Sequence, residues 1–209
     1  MGSDRAQLAA TANAAKEALG VDKLEAIADR GYFSGEEIKA CDDAGITVTL
    51  PKPMTSGAKS EGRYGKQDFV YLPDEDIYRC PAGQNLTFRY EREEAGLKTR
   101  CYWTNACKQC PLKAKCTTGN ERRVKRWEHE HVVDAVQKRL DANPQAMRTR
   151  RETVEHPYGT IKMRMGATHF LCKTLPKVAT EMALCVLTYN LTRVMNIVGV
   201  EKLLEAIKG

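Results

Sequence analysis

The chain has 209 residues, 42% hydrophobic and 29% charged, which suits one fair-sized globular domain or one domain that carries an insertion. Its 33 Lys and Arg against 27 Asp and Glu give a net charge of +6, which excludes a histone-like polycation but suits a polyanionic partner. The composition also excludes collagenous, low-complexity and intrinsically disordered chains.

The N-terminal quarter of the chain alternates helical and strand patterns. A first helix is predicted from Asp4, which begins a capping-box pattern, to Gly20, a typical C-terminal cap. A second helix is predicted from Ser34, where Glu37 completes another capping box. Two short apolar strands are predicted before and after this second helix, at 24–28 and 46–50. This order is typical of an α/β layer built on a parallel strand pair.

The pattern changes after this layer. Residues 51–66 are rich in Pro, Gly, Ser and Lys and predict an exposed loop. Short hairpins follow, with strands predicted at 69–72, 77–80, 86–90 and 97–103. Five of the eight cysteines lie between residues 80 and 116. The sequence therefore predicts a small β-rich, cysteine-containing insertion that interrupts the α/β layer.

Helical periodicity returns near Glu128 and continues toward the C-terminus. One apolar stripe is formed by Val132, Val133, Val136 and Leu140. A further helix is predicted from Gln145 and carries the segment 148–166. The last helix, about 176–198, is apolar nearly all round, so we expect it to be the central packing element of this half.

The sequence shows no signal for export or membrane insertion. No apolar run follows the first residues, and Ala6 breaks the pattern for N-myristoylation. Glu181, Asn190 and Arg193 interrupt the longest apolar stretch, which predicts a buried helix rather than a membrane span. We therefore expect a cytoplasmic protein. In that reducing compartment the cysteines should bind metal or pack in the core rather than form disulfides.

Asp29 stands at the carboxyl end of the first predicted strand, just before Gly31. Ligands gather at this end of open α/β sheets, because the loops leave a crevice there and the strand holds the side chain still. An aspartate that only caps or turns the chain is the alternative, and the position alone favours neither.

A second acid, Glu155, lies among cations. At roughly 100° per residue, three cations share a roughly 60° helical arc with it: Arg148, Arg151 and Lys162. Ordinary salt-bridging faces give the same pattern, for example through an Arg151–Glu155 pair four residues apart. Pro157 removes a backbone hydrogen bond and restricts the residue before it, so we expect a kink just past Glu155.

The chain resembles the catalytic domain of bacterial insertion-sequence transposases of the DDE class. The matching motifs are Ala-Asp-Arg-Gly-Tyr-Phe-Ser at 28–34, Arg-x3-Glu-x6-Lys at 151–162 and Tyr-Asn-Leu-x-Arg at 189–193. The resemblance is closest to members with a cysteine-bearing insertion before the final glutamate. It implies a partial RNase H-like fold, a parallel strand pair with flanking helices interrupted by that insertion. The implied division is an α/β layer at 1–51, a β-rich insertion at 52–127 and a helical part at 128–209.

The resemblance also implies roles for single residues. Asp29 matches the second catalytic aspartate and Glu155 the catalytic glutamate, which together would hold Mg²⁺ or Mn²⁺. Arg151 and Lys162 match basic positions that bind DNA phosphates, while Arg148 stands where the family usually has a tyrosine. The implied partner is DNA at the element ends, bound by a homo-oligomer or in assembly with an intact transposase.

The first catalytic aspartate of this family lies ahead of the helix that begins here at Asp4, so we expect this chain to lack it. Two carboxylates hold a metal pair poorly, and we expect little or no transposase activity from this polypeptide alone. The alternative is a non-catalytic DNA-binding or interaction protein derived from a transposase.

The cysteines of the insertion suggest a zinc site. Cys107 and Cys110 form a C-x-x-C knuckle, Cys116 follows, and Cys80 ends a strand in a turn. Four thiolates around Zn²⁺ would stabilise an insertion too small to bury much core. We predict these four as ligands and assign Cys101 to packing on its strand. Free buried thiols are the alternative, because the C-x-x-C pattern occurs only once.

A basic patch follows the cysteines, with Arg122, Arg123, Lys125 and Arg126 flanking Trp127. Cations beside an aromatic ring suit a nucleic-acid backbone and its bases. A solvated loop leading out of the insertion explains the same residues equally well.

Overall fold

The computed structural model of the chain describes residues 4–53, 57–94 and 96–208. It divides into two compact units, Met1–Asn143 and Pro144–Gly209. The first unit contains a parallel and an antiparallel sheet, and the second is built of helices. The predicted mixed α/β class is therefore confirmed.

The α/β layer of the first unit follows the predicted order. Its elements are α1 (Leu8–Leu19), β1 (Leu24–Ile27), α2 (Gly35–Asp43) and β2 (Ile46–Thr49). The two strands run parallel, with Leu24 opposite Ile46. Alternate residues of β2 are buried, so one face of this pair packs against the core while the other faces outward.

A carboxylate links the two helices of this layer. Glu37 Oε2 accepts a hydrogen bond from the backbone N–H of Ala9, in the first turn of α1, at 2.8 Å. Neither predicted capping box forms at the described helix starts, because Glu37 is engaged with α1 and α1 begins only after a 3₁₀ turn at Asp4–Ala6. Gly20 ends α1 in the left-handed conformation, φ 62°, as predicted.

The core of this layer is completed by a helix from beyond the insertion, α4 (Glu130–Ala142). Its buried valines join the apolar side chains of α1, α2 and β2 in one cluster: Val132, Val133 and Val136. Arg139 also donates to the backbone oxygen of Val48, from Nε at 3.0 Å and from Nη2 at 2.7 Å. Segments on both sides of the insertion therefore share one core.

The insertion is a five-stranded antiparallel sheet preceded by the short α3 (Gly57–Ser60). Its strands pair in chain order: β3 (Val70–Leu72), β4 (Ile77–Arg79), β5 (Asn85–Glu94), β6 (Leu97–Trp103) and β7 (Val124–Trp127). The sequence predicted the first four strands. It missed β7, whose residues were interpreted as a basic patch or a solvated loop. Pairing with β6 overrides that high charge, since Val124 packs into the core opposite Tyr102.

A polar network supports the turn between β3 and β4. The hydroxyls of Tyr71 and Tyr102 both donate to Asp76 Oδ1, at 2.8 and 2.7 Å. Arg100 Nη1 lies 2.9 Å from Asp76 Oδ2. The network lies beside the insertion's own small core of Phe69, Tyr78, Leu86, Tyr102 and Val124. Asp76 thus satisfies polar groups that the aromatic core would otherwise leave without partners.

The second unit begins with one continuous helical stretch. It comprises α5 (Ala146–Arg150), a π-helical turn (Arg151–Glu155), α6 (His156–Gly159) and a second π-helical turn (Thr160–Arg164). The irregularity expected at Pro157 is therefore present, as wider turns on both sides of α6. Proline has no backbone N–H to donate, and a widened turn accommodates the absence of that hydrogen bond.

The unit ends with α7 (Leu175–Val198) and α8 (Val200–Lys208). The sequence analysis did not predict α8. The bounds of α7 agree with the prediction, but its role does not. None of its residues is buried, and Leu187 is 62% exposed. The expectation of a central packing element is wrong, because the described part of this unit contains no sheet and offers α7 only α8 and the irregular helical stretch 146–164 to pack against.

No single helix in the described ranges is both long and apolar enough to cross a membrane. The length and apolarity of α7 reach that level only when it is counted together with α8, from which it is bent by 110°.

Candidate catalytic carboxylates and cysteine pocket

Asp29 is held at the carboxyl end of β1. It caps a 3₁₀ turn (Arg30–Tyr32), and its Oδ1 accepts the backbone N–H of Gly31 at 2.7 Å. A Cβ at Gly31 would approach Oδ1 to 2.9 Å, so a glycine there gives the carboxylate room. Turning the chain is therefore one role of Asp29. It does not exclude metal binding, because a carboxylate has about four lone-pair positions on two oxygens.

Glu155 lies exposed in the first π-helical turn. Its Oε1 is 3.2 Å from Nη1 of Arg150, five residues earlier. The sequence pattern pointed to Arg151 instead, because in an α-helix side chains four residues apart are neighbours. A wider turn brings positions five apart to the same face. Pro157 was the one signal in the sequence that this turn departs from an ordinary helix.

The cations predicted to surround Glu155 do not all pair with it in the structure. Arg148 Nε lies 2.9 Å from Glu152 Oε1, which makes it a partner of another acid. Arg151 and Lys162 are exposed. Exposed ion pairs contribute only about 0–1 kcal/mol, so the Arg148–Glu152 pair adds little to the stability of the fold.

Asp29 belongs to the first unit and Glu155 to the second. That they share metal ions stays a prediction. Their chemistry fits Mg²⁺ or Mn²⁺, because magnesium usually takes one or two carboxylates together with substrate phosphates and water. Across the described residues, no group of three or more His, Cys, Asp or Glu side chains is arranged to hold a metal ion.

Four cysteines line one small cavity of about 20 Å³, which we call the cysteine pocket. They are the four that the sequence predicted as ligands: Cys80, Cys107, Cys110 and Cys116. Burial raises the pKa of the Cys116 thiol; nearby Arg122 acts to lower it, and the other three cysteines of the pocket raise it. The fifth cysteine of the insertion, Cys101, is buried in β6 as expected and does not line the pocket.

The remaining cysteines divide by surroundings. Cys41 is fully buried in the α/β core, and burial raises its pKa to about 11. Cys172 is exposed, because the segment before α7 is not covered.

The basic residues after the pocket are used mostly within the protein. Arg126 stacks 3.7 Å from the centre of the Tyr71 ring and donates to Asp134 Oδ2 at 2.9 Å, which ties the sheet to α4. Lys125 pairs with Glu94. The patch therefore belongs to a strand, and the interpretation as a solvated loop is wrong.

The sequence did not indicate that Arg123 of this patch lies beside Arg89 of β5 and Trp103 of β6. The guanidinium carbons of Arg89 and Arg123 lie 5.4 and 5.1 Å from the ring centre of Trp103. Tyr90 packs beside the same ring at 5.7 Å. Since Arg89 and Trp103 are fourteen positions apart, only strand pairing brings them together.

A comparison with protein families gives one result, a match of residues 79–195 to the family described as transposase DDE domain. This range covers more than half of the chain. It contains the four cysteines of the pocket and Glu155, while Asp29 lies before it. Neither the comparison with curated proteins nor that with solved structures gives a match.

Proposed function

The chain belongs to the family of transposase DDE domains, and we propose that it acts in DNA transposition through metal-dependent cleavage and transfer of phosphodiester strands. The observation that carries this proposal is the family match, which includes Glu155 and its cationic surroundings. The proposed fold of the α/β layer is RNase H-like, supported by the parallel pair β1 and β2 and the helices packed on it.

We assign Asp29 the role of a metal ligand. Its place at the carboxyl end of a parallel strand is where ligands bind in such layers. The hydrogen bond from Gly31 holds one carboxylate oxygen in a defined position, so the group is already oriented before any ion arrives. An ordered ligand loses less conformational freedom when it binds than a mobile one.

Glu155 is the second proposed ligand. The Glu155 side chain is 57% exposed in its ion pair with Arg150, so a divalent cation can reach the carboxylate and compete for it. Arg148, Arg151 and Lys162 are proposed to bind DNA phosphates. Their charges lie on the same helical stretch as Glu155, which would bring a phosphate backbone next to the acid.

A pair of Mg²⁺ or Mn²⁺ ions, when bound, activates a water or a 3′-hydroxyl and stabilises the leaving oxygen. In this proposal Asp29 and Glu155 would hold the ions, and the cations Arg148, Arg151 and Lys162 would orient the phosphate. Two carboxylates hold such a pair poorly, so we expect the 209-residue polypeptide to cleave DNA weakly or not at all by itself. Its assembly with itself or with an intact transposase and its cytoplasmic location stay predictions.

The test combines DNA binding with cleavage. Purified polypeptide is incubated with supercoiled plasmid carrying terminal repeats, with Mg²⁺, with Mn²⁺ or with chelator. We expect slight nicking that needs the metal and disappears in Asp29→Asn and Glu155→Gln. The matched control is Glu152→Gln, an exposed acid in the same π-helical turn, which should keep wild-type nicking. Strong cleavage, or nicking that survives Glu155→Gln, would contradict the assignment.

A non-catalytic DNA-binding protein is the second candidate, and one observation favours it. Trp103 with Arg89 and Arg123 forms an aromatic and cationic surface of the kind that binds single-stranded or distorted DNA by stacking. If this candidate is correct, the protein binds DNA without metal and does not cleave it, and its affinity for DNA falls in Trp103→Ala. The transposase assignment instead requires binding to fall in Arg151→Ala and Lys162→Ala.

A further inference from the structure

We propose that the cysteine pocket is a structural Zn²⁺ site, with Arg122 as a positioning cation that offsets part of its negative charge. The four ligands are Cys80, Cys107, Cys110 and Cys116. This proposal is independent of the DNA chemistry proposed for Asp29 and Glu155.

The first argument is convergence. The four cysteines come from three separate places: the turn after β4, the 3₁₀ turn after β6, and the stretch that leads to β7. Each is positioned by backbone hydrogen bonds. Gly83 donates to the Cys80 oxygen at 2.8 Å with φ 76°, and Cys116 donates to the Lys113 oxygen at 2.9 Å. Tetrahedral sets of four thiolates are typical of structural zinc.

The second argument is the connection between β6 and β7. Residues 104–123 contain two short 3₁₀ turns, and none of these residues is fully buried. Connections of this length without their own strands or α-helices are uncommon in compact domains. Half-buried side chains such as Cys116 are its apolar contacts with the core of the insertion, which leaves a role for a further interaction. A metal bound by Cys107, Cys110 and Cys116 from the connection and by Cys80 from the sheet supplies it.

The third argument is Arg122. Its side chain lines the pocket, and its Nε is buried without a hydrogen-bond partner among the described residues. Buried N–H groups nearly always have a partner. Four thiolates on one Zn²⁺ leave two negative charges, and a guanidinium beside them offsets one of these charges and supplies an N–H donor to sulfur. Arg122 thereby acts on the ligands rather than on the metal itself.

The thiols are not drawn together to metal-ligand spacing in the described part of the chain. The cavity of about 20 Å³ has room for one small ion, roughly the space that a single water needs. Because metal binding is coupled to the final folding of such sites, the proposal requires the cysteine side chains to rotate toward the ion when it binds.

The test measures metal content and thiol protection in the full chain. Protein purified without chelator is analysed for zinc and iron, and its eight thiols are counted with a thiol reagent before and after zinc is removed. We expect about one zinc per chain and four thiols that react only after removal. Less than roughly a tenth of an equivalent of zinc after reconstitution, with the same number of thiols reactive before and after zinc removal, overturns the proposal. Iron in place of zinc also overturns it.

Variants assign the ligands. Cys110→Ser should lose most of the bound zinc, and cobalt added to the apoprotein should no longer give the absorption of a tetrahedral thiolate centre. The matched control is Cys101→Ser, which changes a buried cysteine of the same sheet outside the pocket and should keep full zinc. Equal loss in both variants contradicts the ligand set. Should Cys110→Ser not fold, the zinc content and thiol count of the unaltered chain still decide the question.

Arg122 has its own readout. Arg122→Gln should keep one zinc but bind it about tenfold more weakly in competition with a chelator, which is the usual effect of losing a group next to the ligands. Arg123→Gln removes a neighbouring charge that stacks on Trp103 and serves as the control. An unchanged affinity in Arg122→Gln shows that this arginine is not a partner of the site.

Discussion

The two units of the chain bury apolar side chains to very different extents. In the first unit they form two clusters, one shared by the α/β layer and α4, the other within the antiparallel sheet. In the second unit the described buried apolar side chains are Ala146 and Ile161. Yet α7 in this second unit is the most apolar long stretch of the sequence. Apolar composition therefore does not by itself make a core.

The difference follows from what each element has opposite it. In the first unit, side chains from α1, α2, α4 and β2 meet in one cluster, so each of these elements has a partner. In the second unit, the 24 residues of α7 have the irregular helical stretch 146–164 and α8 to pack against, and none of them is buried. Burial needs a facing surface as well as an apolar side chain.

A matched pair of leucine substitutions tests this comparison and has the largest expected effect. Leu50→Ala removes a side chain that is 1% exposed and should lower the free energy of unfolding by about 2–5 kcal/mol. Leu187→Ala removes one that is 62% exposed and should change it by less than about 0.5 kcal/mol. Urea unfolding followed by circular dichroism measures both. Similar losses would mean that α7 is buried in solution and would break the comparison.

The next largest change in stability is expected from a substitution in the polar network of the insertion. Asp76→Ala leaves the hydroxyl of Tyr102 and the guanidinium of Arg100 without their carboxylate, so we expect a loss of about 1–3 kcal/mol of stability. The same urea titration measures it. Asp74→Ala changes an exposed acid of the same turn and should cost less than about 0.5 kcal/mol. Equal effects would show that the turn, and not the network, sets stability.

The ion pair between Glu130 and Lys66 predicts that the stability of the first unit depends on pH. Glu130 Oε1 accepts from Lys66 Nζ at 2.6 Å, and Glu130 Oε2 accepts from the backbone N–H of Trp127 at 3.2 Å. Burial acts to raise the pKa of Glu130, but Lys66 and the Trp127 N–H outweigh it, and the pKa lies below its ordinary value. A lowered pKa in the folded state stabilises the fold above the unfolded-state pKa, about 4.5, and this contribution is lost as the pH falls.

We therefore expect the urea midpoint to fall between about pH 5 and pH 3, and less steeply in Glu130→Gln, which cannot ionise. At pH 7 the variant should be less stable by about 1–2 kcal/mol, because it loses a hydrogen bond to a charged partner. Glu128→Gln, an exposed neighbour, is the control and should leave the slope unchanged. A variant with the full wild-type slope would contradict the lowered pKa of Glu130.

The smallest effect is expected at the surface of the second unit. Arg148 and Glu152 pair at 2.9 Å with both side chains largely exposed, so Arg148→Ala should change stability by less than about 0.5 kcal/mol. If Arg148 contacts a phosphate, the same change reduces the slope of log affinity for DNA against log salt by about one. Equal slopes in the wild-type protein and in Arg148→Ala would show that Arg148 does not contact a DNA phosphate.

The order of the elements was largely predictable. Periodicity and punctuation by glycine and proline predicted the parallel pair, the first four strands of the insertion and the bounds of α7. The strand β7 was not predictable, because Lys125 and Arg126 make its sequence resemble that of a surface segment. Its place in the sheet depends on pairing with β6, an interaction between residues distant in the chain.

At the site, residue types were predictable and partners were not. The four cysteines were predicted from their spacing, and the structure places them around one cavity. Glu155 was singled out together with Arg151, but its partner is Arg150, because the turn is wider than an α-helix. The place of Trp103 between Arg89 and Arg123 depends on strand register, which no local pattern shows.

By itself, then, the sequence determined which side chains are available for chemistry and which segments are helical or extended, since both depend on residue type and on neighbours a few positions away. Only the tertiary structure decided that Arg122 lines the cysteine pocket and that α4 completes the α/β core while α7 stays exposed. These are decided by surfaces that meet from distant parts of the chain. Whether an apolar or charged side chain is buried depends on what lies opposite it in space.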